Sequence, residues 1–281
     1  MMFSSDTLDF GFEILLNEIE ILSYLHRLLF DVIECDEPEF EEKQSDLFLY
    51  LNNIPIETNF NVYEAFIQLL VHASLIRHYY QSVFQRIISI LDELLRKHNL
   101  KEVFHPLTIF NVFEKNKVLL LHLYENNIID LSLIMNEIWA YADESLFLYF
   151  GYEIIKESPS FFEETVDYLR IRKSKYQFYY NTDKQEEFFC GRKHGHSFDK
   201  LSKIIQNDDI DSFISIYFSL KNDSNESFDL NQKIYPPACE SNKDIRNFNR
   251  GISLLEYSMA FGSVKIFKYL WIHKVEYSKA S

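Results

Sequence analysis

The stretch Ser253-Leu254-Leu255-Glu256-Tyr257-Ser258-Met259-Ala260-Phe261-Gly262-Ser263-Val264-Lys265-Ile266-Phe267-Lys268-Tyr269-Leu270 decides how the chain reads. Two short apolar helical patterns flank a single glycine. Gly262 stands where an inter-helix turn needs positive φ, a position at which a side chain would cost energy. Val264, Phe267 and Leu270 recur at helical steps and are expected on the inner face of the second helix. A weaker copy lies upstream. Leu201, Ile204 and Ile205 precede Asn207-Asp208-Asp209, and Ile210, Phe213 and Ile214 follow. Ile210 matches Val264, 54 positions later.

This segment resembles the ankyrin repeat, whose pattern opens on Thr-Pro-Leu-His-x-Ala, turns at glycine and returns through a second helix. Ser253 stands at the Thr position and Leu255 at the Leu, while Leu254, Glu256 and Ser258 replace Pro, His and Ala. The family's stiffening Thr/His hydrogen bonds are therefore not expected here. An ankyrin unit takes about 33 residues, which leaves roughly 21 inserted between the two copies. Residues 221–251 hold the insertion: rich in Asn, Asp and Ser, with Pro236-Pro237 and no helical period. The chain also resembles ankyrin-protein families expanded in some protists, in which a helical N-terminal region precedes the repeats. Repeats of this type need about three neighbours to bury their faces, and two are visible. Either the N-terminal helices cap the stack or the chain is a truncated member of a longer family, the reading favoured by the lack of a polar capping helix in Val275–Ser281.

Upstream, the chain reads as helix after helix. Gly and Pro number 6 each among 281 residues, well below usual levels, which favours long helices over turn-rich sheet. Leu15, Ile19, Leu22, Leu25, Leu29 and Val32 form one stripe that Pro38 ends. A helix is expected over Glu39–Leu51. Asn61 with Glu64 has capping-box spacing for a helix to about His78, and Ser160 with Glu163 for one to about Ile171. Val83, Ile87, Leu91, Leu94 and His98 mark another, supported by the pairs Asp92 with Arg96 and Glu93 with Lys97. Pro106 restarts the chain; Val118–Tyr124 and Ile128–Trp139 flank a turn, and Asp143–Lys156 follows.

The fold expected is all-α. A helical bundle or solenoid-like domain spans 1–172, a linker or loop spans 173–197, and ankyrin-type repeats occupy 198–281 with the insertion at about 221–251. The linker reading rests on the polar, aromatic and basic character of 173–197, on Gly191 and Gly195, and on the lack of a clear period there; Arg170, Arg172, Lys173 and Lys175 make a basic run expected to be a solvated helix end or loop.

The formal net charge is −15, which disfavours nucleic acid and anionic membrane as partners. Three scattered cysteines, Cys35, Cys190 and Cys239, without CxxC spacing fit a reducing compartment. No signal peptide is visible, and the apolar runs are shorter than the ~18 residues of a spanning helix. A cytoplasmic protein is expected, with the nucleus left open.

Cys190, His194 and His196 form the one cluster with metal-ligand types, but Arg192 and Lys193 oppose a cation and Cys239 is distant in sequence. His72, His78, His98 and His122 lack His-Glu-x-x-His spacing, and no glycine-rich phosphate loop or Gly-x-Ser-x-Gly elbow exists. No metal, cofactor, catalytic residue or small-molecule ligand is expected. The function expected is a non-catalytic protein–protein interaction scaffold with a protein partner. The alternative is a regulatory or targeting subunit of an enzyme complex, or an enzyme built on the N-terminal helices. Family geometry puts candidate partner contacts at Asn249 and Arg250, before the first repeat helix, and at Phe261, near that helix's exposed end.

Overall fold

The computed structural model describes residues 5–76, 81–197, 199–222, 228–237, 239–240, 245 and 251–276. Among them the protein is all-α, with fifteen α-helices and one two-stranded ladder. It divides into two compact units, Met1–Ile129 and Asp130–Ser281. The division falls inside the stretch expected as a single helical domain, 1–172.

The first unit holds α1 (Ser5–Glu34), α2 (Phe40–Asn53), α3 (Phe60–Ile76), α4 (Gln81–Lys97), α5 (Leu100–Val103), α6 (Pro106–Phe113) and α7 (Lys117–Glu125). Its core gathers Leu25, Leu29 and Val32 of α1, Leu47 and Leu51 of α2, Tyr63, Phe66 and Leu70 of α3, and Ile87, Leu91 and Leu94 of α4. The stripe expected on α1 is thus buried only in its second half; Leu15 and Ile19 are exposed. Both predicted ion pairs of α4 form, Asp92–Arg96 at 3.1 Å and Glu93–Lys97 at 2.9 Å.

Buried polar groups fix how these helices end. The Arg86 guanidinium of α4 donates to the carbonyls of Val32 and Ile33, each at 3.1 Å, and of Cys35 at 2.7 Å. These are carbonyls at the end of α1 that no amide within the helix satisfies, at the negative end of its dipole. Asn116 caps α7 by accepting from the amides of Val118 and Leu119, and its Nδ2 donates to Ser74 Oγ at 2.8 Å. The cap expected at Asn61 is instead supplied by Asn59, whose Oδ1 accepts from the Val62 amide.

The second unit holds α8 (Leu131–Tyr141), α9 (Glu144–Glu157), α10 (Pro159–Leu169), α11 (Thr182–His194), α12 (Lys200–Gln206) and α13 (Ile210–Asn222). The strands β1 (Lys233–Ile234) and β2 (Ile252–Ser253) follow, then α14 (Leu254–Ala260) and α15 (Val264–Ile272). Ser158, ahead of Pro159, occupies the cap position of α10, so the box expected at Ser160 does not form.

The expected linker 173–197 is instead structured. Two 3-10 turns, Lys173–Lys175 and Gln177–Tyr180, lead into α11. Arg192 of α11 pairs bidentately with Glu153 of α9 at 2.7 and 2.8 Å, and the Tyr149 hydroxyl donates to the Arg192 carbonyl at 2.8 Å. Phe188 and Phe189 lie beneath the same guanidinium. Burial works against the charge on Arg192, but the Glu153 contacts outweigh it and raise its affinity for the proton. The segment therefore folds around one ion pair and an aromatic cluster. It has no apolar stripe, which is why its sequence carries no period.

Candidate protein-docking surface

The functional candidate is the pair of helical hairpins α12–α13 and α14–α15. Their first helices and the turns that follow repeat at an offset of 54 positions. Each first helix is capped by a residue of extended backbone: Asp199 (φ −65°, ψ 156°) accepts from the Ser202 amide, and Ser253 (φ −65°, ψ 155°) from the Glu256 amide. Glu256 completes a capping box by accepting from the Ser253 amide at 3.1 Å, a reciprocal pair that stiffens the start of α14.

Each first helix then closes in a left-handed turn. Asp208 (φ 51°) and Gly262 (φ 65°) occupy the same position. The amides of Asp208 and Gly262 donate to Ile205 and Met259, and those of Asp209 and Ser263 donate to Ile204 and Ser258. This paired pattern satisfies the helix's last carbonyls. It recurs after α10 at Arg170 and Ile171, and after α15 at Lys274 and Val275.

The hairpins are joined by polar contacts. The Asp208 carboxylate accepts from the amides of Lys265 and Ile266 at 3.0 Å, capping α15 from the neighbouring hairpin. The Ser263 hydroxyl donates to the Ile205 carbonyl, and Gln206 Nε2 donates to the Tyr257 hydroxyl at 2.8 Å. Around these, Phe213 and Tyr217 of α13 set their ring edges against Tyr269 of α15. Burial, with Glu240 adding to it, pushes the Tyr257 phenol up, so it stays protonated in the joint. Asp199 sits below the ordinary carboxylate range: burial opposes this, but hydrogen bonds from Ser197 and Ser202 prevail.

The same correspondence exposes an open face. Ile205 is 0% exposed, whereas its counterpart Met259 is 62% exposed. Phe213 and Tyr217 meet the next hairpin; their counterparts Phe267 and Trp271 stack on each other at 5.9 Å, and Trp271 is 59% exposed. Val264, expected on the inner face, is exposed, and Ile266 takes the buried position beside Leu270. Helical period marks an apolar side but not which part of it faces a neighbouring hairpin.

Phe261, expected at an exposed helix end, is 5% exposed and packs against Tyr257 and His196 at 4.7 and 5.0 Å. It is an internal packing residue, because the turn places position 261 over the first helix. Asn249 and Arg250 lie outside the described residues. Beside them, Gly251 adopts φ 75°, and a methyl group there would lie 2.9 Å from Lys233 Cβ. The ladder pairs Lys233 with Ser253 and Ile234 with Ile252, so the insertion returns directly onto the cap of α14, with Tyr235 exposed at its edge.

Cys239, distant in sequence from the Cys190 cluster, lies close to it in space: a methyl group at Gly191 would meet its sulfur at 3.1 Å. Among the described residues, no group of three His, Cys, Asp or Glu side chains could hold a metal ion. No described helix is long and apolar enough to cross a membrane. Comparison with protein-family models, curated proteins and solved structures found no match.

Proposed function

We propose that the chain is a protein-interaction scaffold whose ankyrin-type hairpins, α12–α13 and α14–α15, display an inserted loop to a protein partner. The observation that carries this reading is the repetition of capped first helix, left-handed turn and second helix, with the same backbone hydrogen bonds closing each turn. Stacked units of this kind form a surface by addition, and insertions between units fall on the loop side, where partners bind. Tyr235 is exposed beside the returning strand, and the sequence places Asn249 and Arg250 just ahead of it. These three are the proposed contacts; Phe261 holds the scaffold instead.

The test is affinity capture from the native cell with the full chain and with a Tyr235→Ala/Asn249→Ala/Arg250→Ala variant, followed by titration of the identified partner. At least a tenfold loss of affinity in the variant is expected. Equal affinity for both proteins would overturn the placement.

A further inference from the structure

Among the described residues, an apolar face stands open in each unit. In the first unit α1 runs 30 residues, about 45 Å at 1.5 Å per residue. Its side chains enter the core from Leu25 onward. Ahead of that, Phe12, Leu15, Leu16 and Ile19 are exposed at helical spacing. Their flanks are acidic: Glu13, Glu18 and Glu20 accompany them, Asp6 and Asp9 precede them, and no Lys or Arg occurs before Arg27.

In the second unit the open face is that of Met259, Val264 and Trp271, with Phe267 half-buried beside them, where the internal repeat leaves Ile205 and Phe213 covered. Its flanks are basic. Lys265, Lys268 and Lys274 are exposed along and just after α15, and α15 itself carries no acidic residue. Nearby, Glu256 is engaged in the capping box and Asp208 caps the start of α15.

We propose that the acid-flanked half of α1 in one copy of the chain seats on the base-flanked face of α14–α15 in a second copy. The contact joins copies of the chain to one another. Pairing α1 with α1 would set two acidic rows together, and pairing α15 with α15 would oppose their lysines; only α1 against α15 matches both apolar stripe and charge. This inference is independent of the ankyrin-type reading and needs no external partner.

Sedimentation of the full chain across concentrations and salt tests it. The expected result is a reversible self-association weakened by salt. Leu15→Glu/Ile19→Glu and Trp271→Glu should each weaken it at least tenfold while retaining the helical circular dichroism of the parent. Mixing these two variants should recover association, because one complete contact survives. Glu13→Lys/Glu20→Lys should weaken the association, and combination with Lys268→Glu/Lys274→Glu should restore it. A concentration-independent monomer overturns the proposal. So does an association lost in the Trp271 variant but retained in the α1 variant, which would mean α15 pairs with itself, and so does a charge swap that restores nothing.

Discussion

Asp208 and Ile266 belong to different hairpins, yet the Asp208 carboxylate accepts the Ile266 amide at 3.0 Å and the adjacent Lys265 amide at the same distance. One side chain therefore closes its own hairpin with a left-handed backbone and starts the second helix of the next. The two roles can be separated by substitution.

Asp208→Gly removes about 1 kcal/mol of left-handed strain but forfeits a cap of about 1–2 kcal/mol. A small net destabilisation, on the order of 0.5–1 kcal/mol, is expected from urea unfolding. At Ala142, also left-handed at φ 52°, no cap is at stake, and Ala142→Gly should stabilise the protein by up to about 1 kcal/mol. Opposite signs at the two positions are the readout.

Arg192 and Glu153 are held bidentately in a largely buried setting. Arg192→Met leaves Glu153 unpaired and should cost about 3 kcal/mol, whereas Arg192→Met/Glu153→Met should recover a large part of that loss. A double-mutant cycle measured by denaturant unfolding would show the coupling; additive losses would mean that α11 is held by its aromatic rings alone.

Arg86→Met removes the donors that satisfy the end of α1 and should destabilise the first unit by about 2–3 kcal/mol. Arg86→Lys should recover only part of this, since all three carbonyls accept from Nη1, one bond beyond the reach of a lysine ammonium, and the Nη2 contact with Glu37 is lost. Chemical denaturation followed by helical circular dichroism distinguishes the two.

Asp199 is more acidic in the folded protein than when unfolded. Its contribution to stability is complete above the ordinary carboxylate pKa of about 3.9 and is lost as pH falls through the lowered folded value. Asp199→Asn should therefore cost stability at neutral pH and bring variant and parent together in acid below that range. A constant difference at every pH would show that the carboxylate's charge is not what the cap uses.

What the sequence reveals follows from the forces that make each element. Helices with an apolar stripe or with acid-first pairs, such as α4 with Asp92–Arg96 and Glu93–Lys97, are legible because period and charge act locally. Caps are less so: Asn59 and Ser158, each two positions before the expected residue, hold the positions ahead of α3 and α10, since several polar residues crowd those starts. The helix α11 is hidden because it has no apolar stripe and its main fixed point, Arg192 to Glu153, is 39 positions away along the chain. The repeat register was readable from Ile210 and Val264, but the open face was not. It emerges only when Ile205 and Met259 are compared in space, and the same comparison turns Phe261 from a surface contact into a packing residue.

The joint made by Asp208 places nearly all of its chemical information at one position. Its partners are main-chain N–H groups, which every residue except proline supplies. The exposed side chain at 265 can drift without undoing this link, while an exchange at 208 is felt at once. Mutational tolerance across the joint should therefore be lopsided: broad on the helix that receives the carboxylate, narrow at the turn that offers it.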